Sequence, residues 1–309
     1  MTVVGDSPAR GGLEQARGGL EQVSVRRRVK SRLMMVLILL CVGIALVPLI
    51  AVTVYTVQRG LRGLSGHFFT QSMKGVGPLD ATGGAYHAII GTVEQVGLAS
   101  LISVPLGLLV AIDLVEYPRG MFSRIVRFVV DVMTGVPSIV AGLFIFAFWV
   151  LGLHRGFSGV AASFALAVLM LPVVIRSSEE MLKIVPASLR EAALALGIPK
   201  WRIILRVVLP SARDGIITGV MLAVARVTGE TAPLLLTAFG TQVVNNNPFK
   251  GAQSALPLFV FQQAGSAFVV NVNRAWAGAL TLILVVVLLN VLARSFTART
   301  RIRDMIRGG

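Results

Sequence analysis

The chain has 309 residues, of which 55% are hydrophobic and only 14% are charged, with a mean hydropathy of +0.81. Typical soluble proteins carry about 25% charged residues, so much of this chain must have lipid rather than water as its solvent. The single cysteine, Cys41, excludes an intramolecular disulfide and a cysteine-based zinc site, and the three histidines fit no metal-ligand spacing. The sequence contains neither a G-x-x-x-x-G-K-[ST] phosphate loop nor a G-x-S-x-G nucleophile motif. The composition therefore predicts a membrane protein that is not itself an enzyme.

Six stretches are long and apolar enough to cross a membrane, since a helix needs about 20 mostly apolar residues to span the hydrocarbon core. The predicted fold is an all-α integral membrane domain over residues 33–297. Its six predicted helices are Leu33–Val57, Ile89–Val115, Ile125–Leu153, Phe157–Ile175, Gly215–Ala238 and Ala275–Phe296. An even number of spans places both termini on the same side of the membrane.

Basic residues are distributed unequally between the two sides. If the N-terminus is cytoplasmic, 22 of the 29 lysines and arginines fall on the inner side, six fall in outer loops, and Arg226 lies within a span. Because basic residues favour the cytoplasmic side, both termini are predicted to be cytoplasmic. Contact with anionic lipid of the inner leaflet then explains the net charge of +15, and no nucleic-acid partner is predicted.

Residues 1–32 are predicted to form a disordered basic tail. This tail holds two copies of the heptapeptide ARGGLEQ, at Ala9–Gln15 and Ala16–Gln22. Two copies are too few for a solenoid, which needs at least three stacked units. The run Arg26–Arg32 is predicted to anchor the first span at the membrane surface, and residues 298–309 form a second basic cytoplasmic tail.

Five of the predicted spans contain one proline each. Proline inside a helix removes a backbone hydrogen bond and bends the helix, which suits a transporter that opens on two sides. Proline is also commoner in membrane helices in general, which accounts for much of this pattern. The prolines are Pro48, Pro105, Pro137, Pro172 and Pro233.

The long cytoplasmic loop between the fourth and fifth spans begins with a predicted helix over Ala187–Leu196. Pro186 suits its first turn, and Ser188 and Glu191 have the spacing of a capping box. Gly197 is a natural stop at its C-terminal end.

A second short helix is predicted over Trp201–Val208, opened by Pro199 and ending before Pro210. Two short helices joined at a Gly–Pro turn would make a rigid protrusion. Physical reasoning alone leaves two alternatives, an element that docks on an acidic partner and an amphipathic helix lying on the membrane. The basic residues predicted to be exposed on the loop are Lys183, Arg190, Lys200, Arg202 and Arg206.

The same loop resembles the EAA loop of ABC importer permeases, with Val207 standing where the family has isoleucine. The residues that match the motif are Glu191, Ala192, Ala193, Gly197, Leu209 and Pro210. The resemblance implies that residues 186–210 form a coupling helix, which sits in a groove of a separate ATP-hydrolysing subunit. It also implies that ATP and Mg are bound by that partner, and that this chain carries no cofactor.

Residues 85–297 resemble the permeases of phosphate ABC importers. The sharpest match is Ala225–Ala238 (ARVTGETAPLLLTA), whose ending is similar to the PstA type of subunit rather than the PstC type. The other matching segments are Gly91-Thr92, Val104–Gly107, Glu116-Tyr117, Asp131–Phe144, Leu171–Arg176, Asn247-Pro248, Ser254–Leu258 and Ala275–Leu280. The alternative is a permease for another oxyanion or small solute, which would share the EAA loop but not the segment Ala225–Ala238.

The resemblance implies a type I importer-like permease fold with six helices in a bacterial plasma membrane. It implies three kinds of protein partner besides membrane lipid: a PstC-type second permease, two copies of a PstB-type ATPase, and an extracytoplasmic PstS-type phosphate-binding protein. ATP hydrolysis would switch the pair of permeases between inward-facing and outward-facing states.

Arg226 is the one basic residue deep within a predicted span, away from its ends, and an arginine near the bilayer centre costs about 2.5 kcal/mol or more. It lies eleven residues into the fifth span, about 16 Å from the inner boundary. Glu230 follows one turn later on the same predicted helical face. One interpretation is a static ion pair that ties helices together. In the other, Arg226 binds phosphate oxygens while Glu230 competes for the guanidinium, so that the anion is passed on.

The predicted pathway includes two hydroxyl donors, a second carboxylate, and an inner arginine that is either an exit contact or a lipid-facing anchor. The predicted pathway residues are Arg226, Glu230, Thr228, Thr231, Glu94 and Arg176. Glu94 and Glu230 are the carboxylates that the predicted spans place deepest in the membrane, and no metal-ligand histidine accompanies them. This argues against a membrane enzyme, and the EAA loop argues against a secondary transporter or channel.

Overall fold

The computed structural model describes residues 25–118 and 120–307. Within these residues the regular structure is helical apart from one isolated bridge between Phe239 and Gln253. The helices, in chain order, are α1 (Val25–Gly63), α2 (Gly66–Thr70), α3 (Tyr86–Glu116), α4 (Gly120–Thr134), α5 (Ser138–Ile145), α6 (Gly159–Ile184), α7 (Ala187–Ala195), α8 (Lys200–Ile203), α9 (Leu209–Thr228), α10 (Ala232–Thr237), α11 (Leu256–Ala264) and α12 (Val269–Arg307). A π-helical segment, Phe146–Gly152, continues α5, and another, Ile204–Val208, joins α8 to α9. The predicted all-α fold is confirmed.

The described chain contains five helices long and apolar enough to span a membrane, and a bent pair of helices would make a sixth. The five are Arg26–Gly63, Tyr86–Glu116, Gly159–Ile184, Lys200–Thr228 and Val269–Leu292. The six predicted spans therefore all correspond to helical segments. The helix boundaries in the structure differ from the predicted ones in the first and last spans and in the third, fourth and fifth spans.

The chain up to Tyr55 forms one unit, and the chain from Thr56 forms another. The described part of the first unit is the apolar stretch of α1, which has a mean hydropathy of 3.1 and contains Pro48. Because α1 already begins at Val25, the predicted disordered tail over residues 1–32 is wrong for residues 25–32. The tandem repeat lies outside the described residues. At the other end, α12 continues to Arg307, so the predicted tail over residues 298–309 begins as helix.

The third predicted span is not one continuous helix. It consists of α4 and α5, which are bent by 108° at the break between Thr134 and Ser138. Pro137 is the cause, because proline disfavours helical conformation at the residue before it, and Gly135 adds a second weak point. Pro137 itself is extended, with φ −58° and ψ 138°, and forms the N-cap of α5. The proline predicted to kink a helix here instead separates two helices.

The fourth span extends to Ile184, whereas the sequence predicted a loop after Ile175. The polar run Ser177–Glu180 is therefore helical, and Glu179 is only 1% exposed. A buried carboxylate in this position requires partners, and three basic side chains supply them, as described below.

The second helix of the loop between α6 and α9 does not end before Pro210. It runs from Lys200 through the π-helical segment and into α9 without interruption. Proline normally clashes with the carbonyl of the residue four positions earlier. The wider π-helical turns that precede Pro210 accommodate it, so that α8 and α9 form one continuous span.

The fifth span ends earlier than predicted, because α9 ends at Thr228 and α10 begins at Ala232. Gly229 caps α9, and Pro233 occupies the first turn of α10, where its missing N–H has no helical partner to lose. The two breaks, at residues 135–137 and 229–231, are the feature of the fold on which the candidate site depends.

The core of the second unit lies between α3, α6 and α9, where small side chains let the helices approach closely. Ser103 on α3 donates a hydrogen bond to the Ala167 carbonyl on α6 at 3.1 Å. A Cβ atom added at Gly107 would lie 2.7 Å from the Val174 side chain on α6. In lipid, close packing of small residues and hydrogen bonds between helices replace the hydrophobic driving force. Buried alanines in this core are Ala99, Ala162, Ala167, Ala223, Ala238 and Ala255.

Gly91 is expected to be irreplaceable in this packing, whereas Gly97 on the same helix is not. A Cβ atom at Gly91 would lie 2.0 Å from the Ser254 carbonyl oxygen, and one at Gly97 would meet nothing within 4 Å. Gly91→Ala should destabilise the protein by about 1–3 kcal/mol through overpacking. Gly97→Ala should be neutral or stabilise it by up to about 1 kcal/mol, because alanine is the better helix former. Thermal unfolding of the two purified variants checks this, and equal melting temperatures would contradict it.

Candidate substrate pathway and docking loop

The two helix breaks meet α6 around a cavity of about 250 Å³. A single water needs roughly 10–15 Å³, so the cavity has room for a polyatomic ion with water. Its polar lining comes from both breaks, and its apolar lining comes largely from α6 and the first break. The lining residues are Met133, Thr134, Val136, Pro137, Ser138, Leu169, Pro172, Val173, Arg226 and Glu230.

Arg226 and Glu230 line the same cavity, as the predicted pathway requires, but they do not share one helical face. Arg226 lies in the last turn of α9, and Glu230 lies in the non-helical stretch beyond it. Among the described residues, no ion pair within 4.0 Å joins them. The static pair is therefore not the arrangement in this structure. The guanidinium instead stands exposed at the cavity, with a carboxylate nearby on the same wall.

The start of α5 adds a second positive feature to the cavity. Ser138 is the first residue of α5 and lines the cavity, and Pro137 before it has no side-chain cap. The first backbone N–H groups of a helix lack intrahelical partners and carry a partial positive charge. An anion beside Arg226 would therefore also face the positive end of a helix dipole.

The two threonines beside Arg226 occupy different environments. Thr228 is 2% exposed, and its hydroxyl donates to the Val224 carbonyl at 2.7 Å, so Thr228 does not line the cavity as a free donor. Thr231 is the N-cap residue of α10, and its carbonyl accepts from the N–H groups of Leu234 and Leu235. Thr231 is half-buried in the second break but is not among the lining residues.

Glu94 does not line the cavity and belongs to a polar network with Gln253. Its carboxylate accepts a hydrogen bond from the Gln253 side-chain amide. Gln95, fully buried next to it, donates to the Gln253 side-chain oxygen at 3.0 Å and to the Ser254 carbonyl at 3.2 Å. The structure therefore does not bring Glu94 together with Arg226 and Glu230.

Arg176 belongs to an ion cluster centred on the buried Glu179. Arg176 lies 3.2 Å from one Glu179 oxygen, while Arg127 at 3.2 Å and Lys183 at 2.8 Å approach the other. Arg176 also contacts Asp131 on α4. Since Arg127 and Asp131 belong to α4 and the other three residues to α6, the cluster fastens these two helices together. Arg176, predicted to be either an exit contact or a lipid-facing anchor, is paired with two carboxylates in this structure.

The sequence prediction missed two features, the residues at the first break that line the cavity and the buried carboxylate of the ion cluster. Thr134 and Ser138 line the cavity because the chain breaks between them, and the signal was the run Gly135–Ser138 (GVPS), in which glycine and proline both weaken a helix. The buried Glu179 was missed because its partners come from two separate stretches of sequence.

The loop between α6 and α9 has the predicted first helix. α7 ends at Ala195, Leu196 caps it, and Gly197 follows with φ +73°, a left-handed conformation that favours glycine. The predicted capping box is wrong, because Pro186 is the N-cap and no side chain caps the helix. Ala193 is buried, whereas Glu191 and Ala192 are exposed. Large apolar side chains also exposed on the loop are Leu189, Leu194, Leu196, Trp201 and Leu205.

Two of the basic residues predicted to be exposed hold the loop against α3; Lys200 is exposed as predicted, whereas Arg190 is half-buried. Arg190 donates to the Glu116 carboxylate at 2.9 Å, and Lys200 donates to the Glu116 carbonyl. Lys183 pairs with Glu179. Lys183, Arg202 and Arg206 are all exposed, as predicted.

The fold is that of an ABC importer permease. The chain is similar to a subunit of the MetNI methionine ABC transporter, at 18% identity and a TM-score of 0.57, over 76% of this chain and 99% of that one. It is also similar to a chain of a bacterial alginate ABC transporter, at 14% identity and a TM-score of 0.62, over 89% of this chain and 98% of that one.

Residues 103–302 match the family of binding-protein-dependent transport system inner membrane components, and the chain belongs to this family. It is 44% identical to the phosphate transport system permease protein PstA of Mycobacterium leprae, over 89% of this chain and 90% of that protein. It is 41% identical to the PstA protein of Pasteurella multocida, over 87% of this chain and 95% of that protein.

Proposed function

We infer that this chain is the PstA-type permease subunit of an ATP-driven phosphate importer and forms half of its translocation pathway. The observation that carries this inference is the 40–44% identity to several phosphate permeases over almost the whole chain. The cavity supports it, because a cationic guanidinium beside a helix N-terminus suits an oxyanion.

The importer requires further subunits, since this chain has no phosphate loop with which to bind ATP. We propose a PstC-type permease as the other half of the pathway and two copies of a PstB-type ATPase on the cytoplasmic side. A PstS-type protein would deliver phosphate from outside. The excess of basic residues in the loop 176–213 and in both terminal regions supports an orientation with both termini in the cytoplasm.

Within the pathway, Arg226 would bind phosphate oxygens and Glu230 would assist release. A guanidinium presents donors in a planar fork that matches two phosphate oxygens. A strong cationic site without a competitor would retain the anion. Because Glu230 lines the same cavity, its carboxylate can take over the guanidinium when phosphate leaves.

In the docking loop, the left-handed conformation of Gly197 sets the angle between α7 and the chain that follows. Gly197→Val should reduce phosphate uptake severely, because a β-branched residue is strongly disfavoured there. Gly197→Asn is the matched control and should keep most of the uptake, since asparagine tolerates this conformation. A Cβ atom at this position meets nothing within 4 Å, so any difference between the variants reflects backbone strain. Equal uptake by both variants would contradict this role.

Uptake of radiolabelled orthophosphate at micromolar concentration tests the function. Cells that lack this chain and have no second phosphate importer would be complemented with the wild-type gene or with an empty vector. Uptake should be restored by the wild type alone. Normal uptake with the empty vector would rule out phosphate import, and the screen would then turn to other oxyanions.

A further inference from the structure

We propose that Arg190 and Glu116 form a rigid joint through which the docking loop moves α3. This inference rests on the proposed function. Arg190 is a positioning residue of the transport cycle: it transmits the movement of α7 without touching substrate. The joint links the surface that meets the ATPase to a helix whose opposite end bonds to the 253–256 segment.

The joint is built on the guanidinium of Arg190, which is bonded to three places at once. Its Nε donates to the Glu116 carboxylate at 2.9 Å, at the end of α3. Its two terminal nitrogens donate to the carbonyls of Val185 at 2.7 Å and Leu182 at 2.8 Å, at the end of α6. The Glu116 side chain is 6% exposed and the Arg190 side chain 21%, so this pair is shielded from water. Shielded pairs with additional hydrogen bonds fix geometry far better than exposed pairs do.

The second short helix of the loop also contacts Glu116. Lys200, at the start of α8, donates to the backbone carbonyl of Glu116. Its ammonium group also lies 4.1 Å from the centre of the Tyr117 ring, a cation–π distance. Both short helices of the loop are therefore attached to the last turn of α3, and the loop cannot shift relative to α3 without breaking these bonds.

The opposite end of α3 is attached to the segment that precedes α11. The Thr92 hydroxyl oxygen accepts from the Leu256 N–H at 2.7 Å, and Gln95 donates to the Ser254 carbonyl at 3.2 Å. Glu116 follows Thr92 by 24 residues, about 36 Å along a helix. In its middle α3 is hydrogen-bonded to α6 through Ser103. Helix α3 thus connects the cytoplasmic loop to the far side of the domain as a single lever.

The joint is tested directly by the distance between α7 and α3 in two nucleotide states. Spin labels would be placed at Ala187 on α7 and at Leu109 on α3, both exposed, in a Cys41→Ser background. Pulsed electron resonance on the intact transporter in lipid nanodiscs would compare the ATP-bound with the nucleotide-free state. The wild-type distance should be the same in both states. With Glu116→Ala it should broaden or shift between them.

The functional readout is the number of ATP molecules hydrolysed per phosphate imported. Glu116→Ala should raise this ratio about tenfold, because a hydrogen bond to a charged group changes an equilibrium by about that factor or more. Glu116→Gln keeps an acceptor oxygen, so its ratio of ATP to phosphate should lie between those of the wild type and Glu116→Ala. Asp113→Ala is the matched control, since Asp113 lies on the same helix one turn earlier and forms no side-chain hydrogen bond or ion pair with the described residues.

A wild-type distance that changes with nucleotide would overturn the joint, and so would a Glu116→Ala distance as constant as the wild type. An unchanged ratio of ATP to phosphate in Glu116→Ala would overturn its role in transport. The distance measurement does not depend on the substrate. A wild-type transporter that fails to import phosphate would therefore remove the proposed function, while the joint itself would still be decided.

Discussion

Replacing Arg226 with glutamine is expected to abolish phosphate uptake while leaving the chain assembled in the membrane. Arg226 is the cation of the cavity and is exposed in it, so its removal takes away charge without opening a packed core. Glutamine is neutral and has only one donor group in place of the guanidinium fork. Initial rates of radiolabelled phosphate uptake, corrected for the amount of the chain in the membrane, measure the effect.

Two controls separate charge from geometry. Arg226→Lys keeps the charge but loses the planar fork, and it should retain part of the uptake. Arg62→Gln makes the same substitution at an exposed position outside the cavity and should leave uptake unchanged. Full uptake by Arg226→Gln would show that phosphate is not carried past this guanidinium.

Replacing Glu179 with alanine is expected to cost about 3 kcal/mol of folding free energy, the lower end of the range for breaking a buried ion pair. The lower end applies because the side chains of its three cationic partners are 34–51% exposed and recover part of their hydration. The loss should loosen α4 from α6, since Arg127 and Arg176 connect these helices through the cluster. Thermal unfolding of the purified protein measures the change.

The neighbouring carboxylate provides the comparison. Glu180 lies next to Glu179 on the same helix but is exposed, and no ion pair with the described residues includes it. Glu180→Ala should change the stability by no more than about 0.5 kcal/mol. Equal melting temperatures for the two variants would mean that the cluster does not hold α4 in place.

The membrane fold could be predicted from the sequence because it depends on the length and hydropathy of single segments. The spans and the helix Ala187–Leu196 follow from local chemistry: a run of apolar residues, a proline near a helix start, and a glycine at its end. Arg226 also stands out locally, because an arginine inside a span is rare and costly. These features can be recognised without knowing which residues lie beside them in the folded protein.

The candidate site was predicted only in part because it depends on contacts between distant segments. Glu230 seemed to continue the helix of Arg226, but the turn at Gly229 ends it. Arg190 and Lys200 seemed to be free surface charges, and the residue that binds both, Glu116, lies more than 70 positions earlier. A pairing of this kind leaves no periodic pattern in the sequence.

The central claim is tested most directly by ATP-driven accumulation of radiolabelled phosphate in proteoliposomes. The vesicles would contain this chain with its proposed permease and ATPase partners, with the binding protein added outside, and each component would be omitted in turn. The account predicts that phosphate accumulates only when this chain is present and that Arg226→Gln prevents accumulation. Accumulation that persists without this chain, or with Arg226→Gln at full rate, would contradict it.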